Sequence, residues 1–173
     1  TDKFSDRTRG DPARALRILV TAGPTREYLD DVRFLTNAAS GRMGYAVARA
    51  ARDRGHRVTL VAGPTGLRAP SGVRLLAVTT AEEMRRAVAR TFPSHDALVM
   101  TAAVGDWCPE KRRRGKIPRR GSLTLRLVPT ADIVRGAGRI KGARRIIGFA
   151  LEAGKRALER ARHKLEEKRL DFL

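Results

Sequence analysis

In the stretch RFLTNAASGRMGYA, residues 33–46, a carboxamide, a hydroxyl and a Gly-Arg-Met-Gly run fall just where an apolar helical pattern begins. Two kinds of chemistry fit this arrangement. Ser40 can cap the helix while the glycines let it pack closely on a sheet. Alternatively, the amides of Gly41, Arg42 and Met43 carry the partial positive charge of a helix N-terminus and can hold a phosphate oxygen. The run is neither a P-loop nor a Gly-x-Gly-x-x-Gly dinucleotide fingerprint, so alone it leaves both readings open. Asp106, between Gly105 and Trp107, adds a carboxylate, and Lys116 adds a cation within KRRRGKIPRR, residues 111–120, which holds seven basic residues in ten. Each also has a plain reading, Asp106 as a turn residue and Lys116 as surface charge. Cys108 has no base beside it in sequence, and His56, His95 and His163 show no metal-ligand spacing with it, which argues against a zinc site.

These groups need a scaffold to bring them together. RILVTAG, residues 17–23, is an apolar run rich in branched residues and stopped by glycine, which predicts a buried strand. Beyond the loop, Met43, Ala46, Val47 and Ala50 fall at i, i+3, i+4 and i+7, the expected buried face of a helix that stops near Gly55. RVTLVAG repeats the strand, and Gly-Pro-Thr follows both strands, at 23–25 and 63–65. VRLLAV, residues 73–78, is a third strand. Thr80 and Glu83 then form a capping box, with Met84, Ala87 and Val88 facing the core. ALVMTAAV, residues 97–104, is a fourth strand; LTLRLV, 123–128, alternates as a half-exposed hairpin arm would; Thr130 and Asp132 open a short helix. RRIIGFAL gives a further strand, Ala157, Leu158, Ala161 and Leu165 mark a charged helix, and LDFL resembles the start of one more strand.

Strands alternating with helices predict an α/β fold: a Rossmann-like three-layer sandwich with a mainly parallel sheet, interrupted by a hairpin or flap excursion. Ligands of such sheets bind at the carboxyl ends of strands. The loops 23–40, 63–72 and 102–120 share that edge, so Asn37, Asp106 and Lys116 are expected to converge.

At 173 residues the chain is the size of one domain, and no run approaches the roughly 20 apolar residues of a membrane span. The first residues lack the apolar centre of a signal peptide, and a single cysteine fits a reducing cytoplasm. Lys and Arg number 37 against 18 Asp and Glu, a formal net charge of +19, which predicts an anionic partner. Nucleic acid is the alternative reading. Against it stand few aromatics for stacking, with only Trp107 beside the basic cluster, and no recognised nucleic-acid motif. A nicotinamide-dependent oxidoreductase is disfavoured by the missing fingerprint glycines.

Taken together, VTAGPTREYLDDVRFLTNAASGRMGYAVARAARDRGHRVTLVAGPT, TAAVGDWCPEKRRRGKIPRR, DIVRG, IIGFALEAG and ARHKLEEKRLDFL resemble, in order and spacing, the phosphopantothenoylcysteine synthetase family. This is the synthetase half of the bifunctional bacterial coenzyme A biosynthesis flavoprotein. The resemblance implies a domain over 17–173 behind a flexible leader at 1–16, truncated at its C-terminus and without FMN. It implies ligation of 4'-phosphopantothenate to cysteine, with CTP rather than ATP as co-substrate and Mg2+, through an acyl-cytidylate, by a cytoplasmic homodimer.

The resemblance also implies roles position by position. Asn37 matches the asparagine that contacts the acyl-nucleotide, with Arg33 and Ala103 at the same substrate. Gly23, Ser40, Gly41 and Arg42 match the nucleotide segment, with Arg42 where relatives have lysine. Ala102 and Asp106 match the AAVAD segment at the nucleotide, Asp106 also being the candidate metal ligand. Lys116 matches the first lysine of the KIKK flap, whose next lysine is Pro118 here. Phe149 matches the GFAAE phenylalanine that lies against the base.

Overall fold

The computed structural model describes residues 15–151, 154 and 156–173. The apolar runs read as strands form them: β1 (Arg17–Ala22), β4 (Arg57–Ala62), β5 (Arg74–Ala77), β6 (Ala97–Met100) and β9 (Arg145–Gly148). Two short antiparallel pairs, β2 (Arg26–Tyr28) with β3 (Phe34–Thr36) and β7 (Trp107–Pro109) with β8 (Leu127–Pro129), stand outside the main sheet. The helices are α1 (Arg42–Asp53), α2 (Ala81–Thr91), α3 (Ile133–Arg139) and α4 (Ala157–Glu167).

The main sheet is parallel throughout, in the order β5-β4-β1-β6-β9. The connections run outward from β1 in one direction and then cross to its other side, so the order reverses between β1 and β6, where an α/β sheet opens a ligand crevice. One face packs Leu19, Leu98 and Ile146 against Met84, Val88 and Phe92 of the α2 side; the other packs Val20, Leu60 and Ala62 against Tyr45 and Ala48 of α1. Helices on both faces make the three layers, and the fold is α/β as the alternating pattern requires. The capping box of α2 is complete, with Thr80 accepting from the Glu83 amide and Glu83 from the Thr80 amide. Among the described residues no helix is long and apolar enough to cross a membrane.

Three expectations are corrected. The buried face of α1 is Gly44, Tyr45, Ala48 and Ala51, about one residue round from the expected one, and Met43 and Ala46 are exposed. The cause is Gly44, where a Cβ would overlap Thr101 Oγ1 and the Ala22 methyl, so the backbone itself must face the sheet. Ser40 is not the N-cap of α1; that position is Gly41, at φ 76°, and the Ser40 hydroxyl makes only a long contact, accepting from the Arg42 amide at 3.4 Å. LTLRLV joins a strand only from Leu127, because Trp107–Pro109 offers three partners. The charged helix forms as α4 over Ala157, Leu158, Ala161 and Leu165, with none of its residues buried.

Residues 1–14 of the expected leader lie outside the described residues; Leu16, also assigned to it, already accepts from the Arg57 amide at 2.8 Å. LDFL makes one parallel bridge, Ile147 to Phe172, against β9. Asp171 ties it down, accepting from Lys141 and Arg145 at 2.7 Å each and from the Ile146 amide at 2.8 Å.

Candidate active site

A cleft of about 790 Å³ opens beyond the carboxyl ends of β6 and β9. Its floor is Met100 and residues 101–104, one wall is residues 148–151, and α3 and α4 close the far side with Asp132, Lys164 and Lys168. Ala102, Ala103, Asp106 and Phe149 line it, with Met43 from the start of α1. The volume falls within the range of small-molecule sites.

Thr25 and Asn37 fix the loop that leaves β6. Buried Thr25 accepts from the Gly105 amide at 3.0 Å, and the Ala103 amide donates to the Gly23 carbonyl at 2.9 Å. The Asn37 side chain donates to the carbonyls of Ala103 and Val104 at 3.2 and 3.0 Å. Both amide hydrogens of Asn37 are thereby committed, and its Oδ1 is what it presents outward.

Beside this loop the start of α1 is built from glycine contacts. A Cβ on Gly41 would come within 3.1 Å of the Gly23 Cα and 2.9 Å of Thr65 Cγ2, and Gly23 itself sits at φ 77°. Only glycine accepts both the left-handed backbone and the close approach. The nearest polar side chain, Ser40, accepts from the Arg42 amide at 3.4 Å. Apart from that long contact, the first turn of α1 has no side-chain cap and keeps donors for an anion. The Gly-Pro-Thr echo has its reason here too, since a Cβ on Gly63 would overlap the Pro24 carbonyl oxygen.

Two carboxylates in the cleft differ in their commitments. Asp132 caps α3, accepting from the Arg135 amide at 2.9 Å, and pairs with Lys168 at 2.9 Å. Burial works to raise its carboxyl, and the Arg135 amide and Lys168 outweigh that and leave it below the usual carboxylate range. The Asp106 carboxylate is exposed and makes no bond among the described residues, which also contain no cluster of three or more metal-ligating side chains. Cys108 is half-buried, and burial pushes its thiol up, away from a reactive thiolate.

Arg33 and Lys116 belong to a different part of the surface. Neither lines the cleft, and nor do Gly23, Asn37, Ser40, Gly41 and Arg42; Asn37 is tied to the loop that carries Asp106 by its bonds to Ala103 and Val104, whereas Lys116 has no such tie. The physical reason is the turn at residues 29–33. Asp30 accepts from the Ile117 amide at 3.0 Å, Asp31 from the Gly115 amide at 2.7 Å, and Arg33 donates to the Ile117 carbonyl at 3.1 Å. Arg33, Arg113, Arg119 and Arg120 line a separate basic groove of about 440 Å³ beside it.

Lys164 and Lys168 carry no signal in the sequence, where two lysines of a charged helix look like surface, and Asp132 is legible there only as the start of a helix. Asp30 also escaped notice, although an aspartate ahead of Val-Arg is a pattern for an Asx turn, and it does accept from the Val32 and Arg33 amides.

Residues 13–173 match the family model described as the DNA/pantothenate metabolism flavoprotein C-terminal domain. The chain is 39% identical over 173 residues to the coenzyme A biosynthesis bifunctional protein CoaBC of Bacillus subtilis, covering 98% of this chain and 42% of that protein. It thus spans about two fifths of the length of the curated relatives it matches. The crystal structure of the C-terminal domain of a CoaBC superposes with a TM-score of 0.82 at 39% identity, over 94% of this chain and 77% of that one. A Cab2 mutant in complex with phosphopantothenate-cysteine shares the fold, at a TM-score of 0.76 and 16% identity, over 91% of this chain and 73% of that one.

Proposed function

The chain belongs to the DNA/pantothenate metabolism flavoprotein C-terminal domain family, and we propose that it joins 4'-phosphopantothenate to cysteine using a nucleoside triphosphate, CTP rather than ATP. One observation carries the reading: Asp106 holds a carboxylate with no partner among the described residues, in a cleft that it lines with Ala103, Phe149 and, from the start of α1, Met43. The names of the relatives and the ligand of the Cab2 mutant support the substrate pair.

In the first step a carboxylate oxygen of phosphopantothenate attacks the α-phosphorus and the bond to pyrophosphate breaks. In the second, the cysteine nitrogen attacks the acyl carbon, and the nucleoside monophosphate leaves with the electron pair of the C–O bond. Both steps build negative charge on phosphate oxygens. The amides of the first turn of α1, with Arg42 and Lys116, are this chain's groups for that charge, aided by Gly23, Ser40 and Gly41, which shape the approach. Ala102 and Ala103, small and backbone-exposing, let the nucleotide lie on the floor, and Phe149 offers a half-exposed ring to the base. Arg33 and Asn37 serve phosphopantothenate. Because the Asn37 donors already serve Ala103 and Val104, holding the activated carboxyl by its nitrogen means giving up one of those bonds, whereas its Oδ1 is open to a substrate donor.

Mg2+ fits this donor set, since an ion that keeps waters and phosphate oxygens asks for one or two protein carboxylates, and Asp106 is uncommitted. Bound there, it would neutralise charge on the leaving pyrophosphate. A second copy of the chain is the proposed partner, on the support of the exposed Trp107, Leu123, Leu125 and Leu127 around the β7–β8 pair. A reducing cytoplasm suits the free Cys108.

Pyrophosphate release from CTP and from ATP, each with phosphopantothenate and Mg2+ and with or without cysteine, tests the reading. Release with CTP that Lys116→Gln slows about a hundredfold without stopping it is the expected result; no release with either nucleotide from the folded chain overturns it.

A further inference from the structure

The basic loop is docked by two consecutive carboxylates whose bonds fall on either side of one residue. Asp31 Oδ2 accepts from the amide of Gly115 at 2.7 Å, and Asp30 Oδ2 accepts from the amide of Ile117 at 3.0 Å. Between them lies Lys116, exposed, its ammonium making no bond among the described residues. We infer that Asp30 and Asp31 form a clasp that sets the backbone at Lys116 and are positioning residues for that lysine, an inference that rests on the ligase reading for the role of Lys116 itself.

Several features show that the docking is built. Asp30 is wholly buried, and its other oxygen accepts from the Val32 and Arg33 amides at 2.8 and 2.7 Å, so the carboxylate cannot rotate away. The second residue of the clasp, Asp31, also takes the Arg112 guanidinium at 2.9 Å, and Arg112 lies over the Tyr28 ring at 4.9 Å. Ile117 is buried, Arg33 donates to its carbonyl at 3.1 Å, and the Arg113 amide donates to the Leu29 carbonyl at 2.9 Å. Gly115, at φ 69°, supplies the left-handed turn that aims its amide at Asp31.

The electrostatics explain why carboxylates do this. Residues 111–120 hold seven cations in ten and repel one another. Left alone, such a stretch extends into solvent, and a lysine within it samples many positions. Two fixed anions at its centre counter the repulsion and select one backbone course. Asp30 also touches Arg33 at 3.6 Å, so the arginine and the lysine that the ligase reading uses are tied to one carboxylate. Its position makes Asp31 the better probe, because its half-exposed side chain can be changed without opening a buried hole.

The test is a double-mutant cycle of Asp31→Ala and Lys116→Gln on this chain, with tryptic cleavage read in parallel and Asp31→Asn as the conservative variant. Expected are about tenfold faster cleavage within 111–120 for Asp31→Ala at unchanged Tm, since a released loop opens locally, and an approximately tenfold lower kcat/KM for the nucleotide. In the Lys116→Gln background Asp31→Ala should cost nothing further, because both act through one group. Asp31→Asn, which keeps an acceptor for the Gly115 amide, should recover most of the loss. Unchanged cleavage, an additive cycle or a rise in activity on releasing the loop would each overturn the clasp. If the parent chain releases no pyrophosphate, the ligase reading fails, while faster cleavage of Asp31→Ala still establishes the docking and unchanged cleavage still refutes it.

Discussion

Thr101 donates its hydroxyl to the backbone carbonyl of Thr21 at 2.5 Å, and Gly44 of α1 lies directly over the pair. The loop that becomes the floor of the cleft and the helix that faces it are thus packed with no side chain of the helix between them. Gly44→Ala must push α1 off the sheet, at a cost of about 2 kcal/mol, typical of overpacking. Gly55→Ala meets no atom within 4 Å and should cost only the strain of φ 83°, about 1 kcal/mol. Urea unfolding of the two variants compares them; equal losses would show that the helix is free to shift.

Asn37→Asp sets a carboxylate against the Ala103 and Val104 carbonyls in place of two donated bonds. The loop after β6 should loosen, with stability falling by about 1 to 3 kcal/mol, as expected when bonded acceptors lose their donor. Turnover should fall further than Tm. A variant with native turnover would remove Asn37 from the site.

Asp106→Asn and Asp132→Ala separate an exposed carboxylate that lines the cleft from one committed to a helix cap and an ion pair. The Asp106 side chain has no partner among the described residues, so its change should leave Tm alone, lower turnover and raise the Mg2+ concentration needed. Asp132→Ala removes the cap of α3 and the Lys168 pair and should cost about 1 kcal/mol. Thermal melts and a Mg2+ titration read both.

Acid should unfold the protein through Asp30 and Asp171. The Ile117 amide, then the Val32 and Arg33 amides and Arg33, hold Asp30 down to about 2 against its burial. Burial raises Asp171, but Lys141, the Ile146 amide and Arg145 bring it to about 2. Both carboxyls sit below their unfolded value of about 3.9, so the unfolded chain binds more protons as pH falls. Their contribution is complete above that value and disappears as pH drops toward about 2. Asp171→Asn should flatten this part of the Tm profile, and an unchanged slope would exclude the Lys141 and Arg145 clamp as its source.

His95 should add a second, milder pH dependence. Its ring is buried between the Thr91 carbonyl and the Thr59 hydroxyl, at 2.8 and 3.0 Å, and burial first, then Arg17 and Arg74, lower its pKa. The folded state prefers the neutral ring, so this contribution is present above the ordinary value of about 6.5 and is lost as pH falls below it. The His95 ring protons, followed by NMR, should titrate below that value.

The fold was legible because the strands are short apolar runs and Thr80 and Glu83 form a capping box that local chemistry alone dictates. The face of α1 was not. Its apolar positions suit two faces, and the choice falls to Gly44, whose contact partners lie in strands far away in sequence. The site divides in the same way. Asn37 and Asp106 could be assigned to one edge of the sheet because loops after parallel strands share that edge. The place of Lys116 could not be assigned, since it depends on Asp30 and Asp31 reaching residues more than 80 positions later.

The Thr21–Thr101 bond spans 80 positions, and so does the bond from Gly105 to Thr25. Closing chain segments of that length is entropically costly and slow, and it must precede any reward from the contacts. The central strand therefore waits for β6, made long after it, before the floor of the cleft exists. During synthesis the first strand and the segment of α1 emerge with nothing opposite them. The cleft is a late event in the life of each chain, completed only after its two halves meet.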